Sequence, residues 1–181
     1  MAKAHIFISY AHEDKEWVLE GPGNIHLIPR IRRHTSPDAE RWFDEGLVIG
    51  EKWDEEIHNH IVQSHIAILL ISESFVSSDY IVNKELVWIK EQVEKNDMKI
   101  VPLLIGNITE KSKRIIDWIY QRQIHPSETQ PLCNYLNDKA QWDHMITSIL
   151  NIIDAKIDQV LETLLLNEST RQTENSIKPS V

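Results

Sequence analysis

The sequence predicts a doubly wound α/β domain, a three-layer sandwich with a central parallel sheet of about five strands. Two runs, "HIAILLIS" and "KIVPLLI", are apolar on both faces, as strands are when helices cover both sides of a parallel sheet. Stretches with helical apolar spacing alternate with the strand-like runs, and polar clusters follow those runs where a sheet would end. The chain has 181 residues, 41% of them hydrophobic, which is enough for one domain with a sizeable core.

Taken in order, "HIFISY" (His5 to Tyr10) is β-branched and aromatic and runs into the polar "AHEDKE", so it forms the first strand. Helical spacing extends from Trp17 to Arg33, but "GPG" at Gly21 to Gly23 divides it into two pieces, the second from about Asn24. "RWFD" (Arg41 to Asp44) is a short strand. After the loop "EGLVIGEK" a helix from about Lys52 to Ser64 carries Trp53, Ile57 and Ile61 on one face.

A central strand over "HIAILLIS" follows, and then a helix beyond Tyr80 with Glu85, Leu86, Ile89 and Val93. "KIVPLLI" (Lys99 to Ile105) repeats the central pattern, although Pro102 forfeits one ladder hydrogen bond. A helix near Lys113 to Tyr120 and a weak strand near Gln123 to His125 complete the alternation.

After Trp142 a long C-terminal helix is expected to about Leu166, with a seam through Ile146, Leu150, Ile153, Ile157, Val160 and Leu164. Its first half is expected to pack on the sheet and its second half to reach beyond the domain, where it could pair with another copy. The polar "NESTRQTENSIKPSV" is expected to be disordered. The expected organisation is a domain over 1–155, a helical extension over 156–166 and a tail over 167–181.

Composition excludes several functions. A net charge of -9, from 28 acidic and 19 basic residues, offers no footprint for nucleic acid or an anionic membrane. The longest apolar run, Ile66 to Ile71, is far too short to span a bilayer. The lone Cys133 rules out an internal disulfide, and the first residues lack a secretory pattern, so a cytoplasmic location is expected. Nine histidines show no metal-binding spacing, and the five glycines form neither a dinucleotide fingerprint nor a phosphate loop. No metal and no bound cofactor are therefore expected.

What remains lies at the strand ends, where doubly wound sheets bind ligands: Ser9 and Tyr10, Phe43 and Asp44, and Ser72 through Ser78. The stretches "IFISYAHEDKEWV", "RWFDEGLVIGEKWDEEI", "SHIAILLISESFVSSDYIVNKELVWI" and "KIVPLLI" together resemble a bacterial-type TIR (Toll/interleukin-1 receptor) domain, flavodoxin-like in fold. Asp44, Leu47, Gly50 and Trp53 match the family's loop pattern, with Ile49 where proline is frequent. Ser78, Tyr80 and Ile81 match the motif that precedes the family's catalytic glutamate, which falls on Glu85. One more residue separates Tyr80 from Glu85 than in the plant and animal form.

The resemblance implies cleavage of the nicotinamide–ribose bond of NAD+, with Glu85 catalytic and Ser9, Tyr10, Phe43, Asp44, Trp53, Ser78 and Tyr80 binding the substrate. It implies NAD+ as a substrate, self-association with other TIR domains, and a role like that of Thoeris-type antiphage components, whose nucleotide product acts on a separate effector. The alternative it admits is a noncatalytic scaffold acting through TIR–TIR contacts, although the glutamate at position 85 after "SSDY" favours the enzyme. Without the resemblance, Glu85 reads as an ordinary solvated helix charge.

Overall fold

Four strands, β1 (Ala4–Ser9), β2 (Ala39–Phe43), β3 (Ile66–Ile71) and β4 (Lys99–Leu104), form a wholly parallel sheet in the order β2-β1-β3-β4. The computed structural model describes residues 2–18, 27–43 and 51–177. From β1 the chain passes outward to β2 and then back across to β3. The crevice between the carboxyl ends of β1 and β3 is therefore a topological switch point. The register pairs Phe7 with Trp42 and Ile8 with Phe43 on one side of β1, and Ile8 with Ile68 on the other.

Alternation along these strands builds two cores. On one face Ile6, Ile8, Ile68, Leu70, Val101 and Leu103 pack with α2 (Leu27–His34) and the long α8 (Lys139–Ile177). On the other, Phe7, Ala67, Leu69, Ile71 and Leu104 meet α3 (Glu51–Gln63), α4 (Glu73–Ser77) and α5 (Leu86–Asn96). Every residue of β3 is fully buried, so the doubly apolar run does occupy the middle of the sheet. The short α1 (Lys15–Val18) docks on α8 through Trp17, whose ring lies 6.1 Å from that of Trp142.

The expected fifth strand shrinks to a single bridge. After α6 (Glu110–Ile115) and α7 (Asp117–Tyr120), His125 pairs with Leu103, its N–H donating to the Pro102 carbonyl and its carbonyl accepting from Leu104. Within a strand a residue's N–H and C=O point the same way. The N–H that Pro102 lacks would therefore have faced this outer edge, and the β3–β4 ladder is uninterrupted.

The C-terminus also departs from the sequence expectation. Instead of ending near Leu166 before a disordered tail, α8 is helical through Ile177. No glycine or proline interrupts "NESTRQTENSI". The seam residues Ile146, Ile153, Ile157 and Val160 are buried against the sheet's own core, whereas Leu165 and Leu166 are exposed.

Candidate functional site

The switch-point crevice is a cleft of about 640 Å³ lined by residues from β1, β2, α3 and the segment after β3. Ser9 closes β1 and is 2% exposed, and Glu85, at the start of α5, is 7% exposed. The Ser9 hydroxyl donates to Glu85 Oε2 at 2.5 Å. A carboxylate removed from water needs such donors, and Ser9 supplies one from a strand whose position the sheet fixes.

Glu85 reaches this place through a π turn over Ile81–Glu85, closed by the Leu86 N–H donating to the Ile81 carbonyl. An α-helix turns about 100° per residue, whereas an i→i+5 turn advances about 80°. The five steps from Tyr80 to Glu85 would set the two about 140° apart on an α-helix and about 40° apart on the π turn. Both side chains line the cleft. Ser78 caps the entrance to the turn, its Oγ accepting from the Ile81 N–H at 3.3 Å and its carbonyl from the Val82 N–H at 3.0 Å.

Aromatic rings make part of the wall. Trp53 and Tyr80 lie 4.2 Å apart between centroids, and the Lys84 ammonium sits 5.2 Å over the Tyr80 ring. Lys84 also pairs with Asp54, so the π turn is tied to α3 by a ring contact and an ion pair. Hydrogen bonding from Lys84, reinforced by the Tyr80 hydroxyl, holds the Asp54 carboxyl below its usual range.

Trp42 continues the wall, stacked between Phe7 at 5.4 Å and His60 at 4.2 Å. Beneath the floor the Ser72 hydroxyl accepts from the Phe75 N–H as the cap of α4 and donates to Asp14 Oδ2. Burial raises the Asp14 carboxyl above its usual value, and the Ser72 bond only partly opposes this.

Of the residues expected at the site, Ser9, Tyr10, Trp53, Ser78, Tyr80 and Glu85 converge on the cleft. Asp44 lies outside the described residues. Phe43 does not line the cleft: it packs against the core on the sheet's other face, and its neighbour Trp42 takes the place. Strand alternation is the cause, since Trp42 is in register with Phe7 and Phe43 with Ile8. Sequence reasoning missed His12 and Glu13, which line the cleft from a polar segment without a periodic signal, whereas Glu73 and Ser77 fall within the Ser72–Ser78 stretch expected at the strand end. Among the described residues no group of three or more His, Cys, Asp or Glu is placed to hold a metal ion. None of the described helices is long and apolar enough to cross a membrane.

A parallel sheet in this order, with a ligand-sized cleft at its switch point, defines a flavodoxin-like α/β binding domain. More particularly, the chain belongs to the TIR domain family, whose pattern it matches over residues 6–132. It is 25% identical over 113 residues to the uncharacterized protein y4lF of Sinorhizobium fredii, covering 62% of this chain and 31% of that protein. The chain thus spans about a third of the length of that curated relative. It is also similar to the TIR domains of the activated Roq1 resistosome directly recognizing the pathogen effector XopQ, at 20% identity and a TM-score of 0.44, over 90% of this chain and 99% of that one.

Proposed function

We propose that this chain is an NAD+ nucleosidase that cleaves the nicotinamide–ribose bond, yielding ADP-ribose, a cyclic isomer or an adduct. The observation that carries this reading is the buried Glu85 carboxylate, hydrogen-bonded to Ser9 in an aromatic-lined cleft at the sheet's switch point. As the C1′–N1 bond stretches, its electron pair passes to the ring nitrogen and nicotinamide leaves neutral, so no general acid is needed. Positive charge then develops on the ribose, and a fixed carboxylate in a dry site stabilises it more in the transition state than in the ground state. Water supplies hydroxide to C1′ and a proton to solvent; an internal nucleophile in its place gives a cyclised product.

The TIR family membership supports a signalling role, in which the product acts on a separate effector or NAD+ is depleted during bacterial antiphage immunity. Self-association would bring cleft-bearing surfaces together at high effective concentration. Purified protein, alone or with an activator, should release nicotinamide from NAD+. Glu85→Gln should abolish release while circular dichroism stays native. Equal release by wild type and Glu85→Gln would reject the assignment, and silence in both under all activators would favour a scaffold acting through TIR–TIR contacts.

A further inference from the structure

A second cavity, of about 450 Å³, lies beside the amino end of β4, away from the carboxyl ends that carry the cleft, and shares no lining residue with it. The end of α5, the start of β4, the segment leading to the His125 bridge and the middle of α8 line it. Its charge runs against that of the molecule. In a chain of net charge -9 the cavity gathers Lys99, Arg122 and Lys156 around a single carboxylate, Asp97. Asp97 pairs with Lys99 at 2.6 Å. Among the described residues the side chains of Arg122 and Lys156 have no hydrogen-bond or ion-pair partner.

His125 adds a further donor. It is 7% exposed and lines the cavity. Its backbone is fixed on both sides, the N–H donating to the Pro102 carbonyl and the carbonyl accepting from Leu104. Its ring nitrogens have no hydrogen-bond partner among the described residues, and a polar ring this deeply buried needs one. Burial lowers the His125 pKa, and the Lys156 charge lowers it further, so Lys156 lies near enough to be felt at the ring. A neutral imidazole still donates from one nitrogen.

The donors narrow the choice of occupant. A guanidinium fork, an ammonium and an imidazole reach the cavity from the bridge segment and from α8, and a phosphate has three oxygens to receive them where a carboxylate has two. Met98, Ile100 and Ile152 add apolar surface, and the volume is that of a small-molecule site. The acidic charge of the whole chain opposes a long polyanion. We infer that this cavity binds a small phosphomonoester, with its phosphate on Arg122, Lys156 and His125 and its apolar body against Met98 and Ile152. The bound phosphate opposes the effect of burial and of Lys156 on the ring, and so raises the His125 pKa. The other charges facing that ring across the cavity are Lys99, Arg122 and Asp97.

The test is nuclear magnetic resonance of the full chain with isotope-labelled histidine, the His125 signal being assigned from His125→Gln. The probes are inorganic phosphate and adenosine monophosphate, with adenosine and chloride as controls, and His12 reports binding in the cleft. Both phosphate probes should move the His125 signal saturably and raise its pKa, and adenosine monophosphate should bind about tenfold more tightly for its apolar contact. Adenosine should leave the signal in place. Replacing Arg122 and Lys156 together by glutamine should weaken adenosine monophosphate by about a hundredfold, the loss of two charge-assisted hydrogen bonds, while the His65 signal stays native. A shift that does not saturate, that chloride reproduces at equal ionic strength, or that survives the double variant would overturn the inference. So would adenosine monophosphate binding no more tightly than phosphate, adenosine moving the signal as far as its phosphate ester, or shifts confined to His12.

Discussion

At the scale of single residues, the Ser9–Glu85 pair joins two segments 76 positions apart. Ser9→Ala removes one donor from a buried carboxylate, and its cost is that of a lost hydrogen bond to a charged group, about 1.5–3 kcal/mol. The variant should remain folded, melt earlier, and release nicotinamide at least about tenfold more slowly, because Glu85 is then free to leave the direction in which its field is useful. An unchanged turnover number in Ser9→Ala would show that Glu85 is oriented by other groups. Side-chain types at strand ends, Ser9 and Tyr10 among them, are legible as site residues because a strand end is visible in the sequence. The exchange of Phe43 for Trp42 was not legible, because two adjacent aromatics in a short strand give no sign of which faces the cleft until the register with β1 is known. Glu13 was hidden for a different reason: one more carboxylate in an acidic loop looks solvated, and only the fold brings it to the cleft.

Among the elements, the alternation of strands and helices was readable from apolar patterning, and β3 and β4 occupy Ile66–Ile71 and Lys99–Leu104 within the two doubly apolar runs. The failures have local causes: the bridge at His125 offers too few residues for a pattern, and the last turns of α8 are amphiphilically silent. The π turn escaped because its hydrogen-bond spacing leaves no compositional mark. The count of residues from Tyr80 to Glu85 is nonetheless a sequence fact with a geometric meaning. Deleting the exposed Asn83 leaves four steps at about 100° each, so an ordinary α turn would again set Tyr80 and Glu85 about 40° apart. Inserting an alanine after Asn83 rotates Glu85 by about 100° relative to Tyr80 if the added residue is taken up as α-helix. The deletion should therefore keep nicotinamide release within about tenfold of wild type, while the insertion should lower it by at least about a hundredfold with the fold retained. Matched losses in both variants would mean that the spacing through the π turn does not set the direction of Glu85.

For the whole molecule, charge and burial act together through histidine. His60 stacks on Trp42, His65 lies beside His5, and His125 sits at the sheet edge. All three have their pKa lowered from 6.5, in each case chiefly by burial. For His65 the neutral ring is also used structurally, since Nδ1 accepts the His5 N–H at 3.0 Å, a bond that a proton on that atom would end. The folded state therefore binds fewer protons than the unfolded chain just below 6.5, and stability rises with pH across that window. Their contribution is complete above 6.5 and is lost as pH falls through the lowered folded values. His60 and His65 are only partly buried, so their effects are modest, and the sum over the three is what a melt would read. Thermal unfolding should be nearly flat from neutral to mildly alkaline pH and should shift to lower temperature between pH 7 and pH 5, about the range over which unfolded histidine protonates. Replacing His60, His65 and His125 together by glutamine should flatten the profile over that interval. A triple variant with the wild-type slope would assign the pH dependence to groups other than these three.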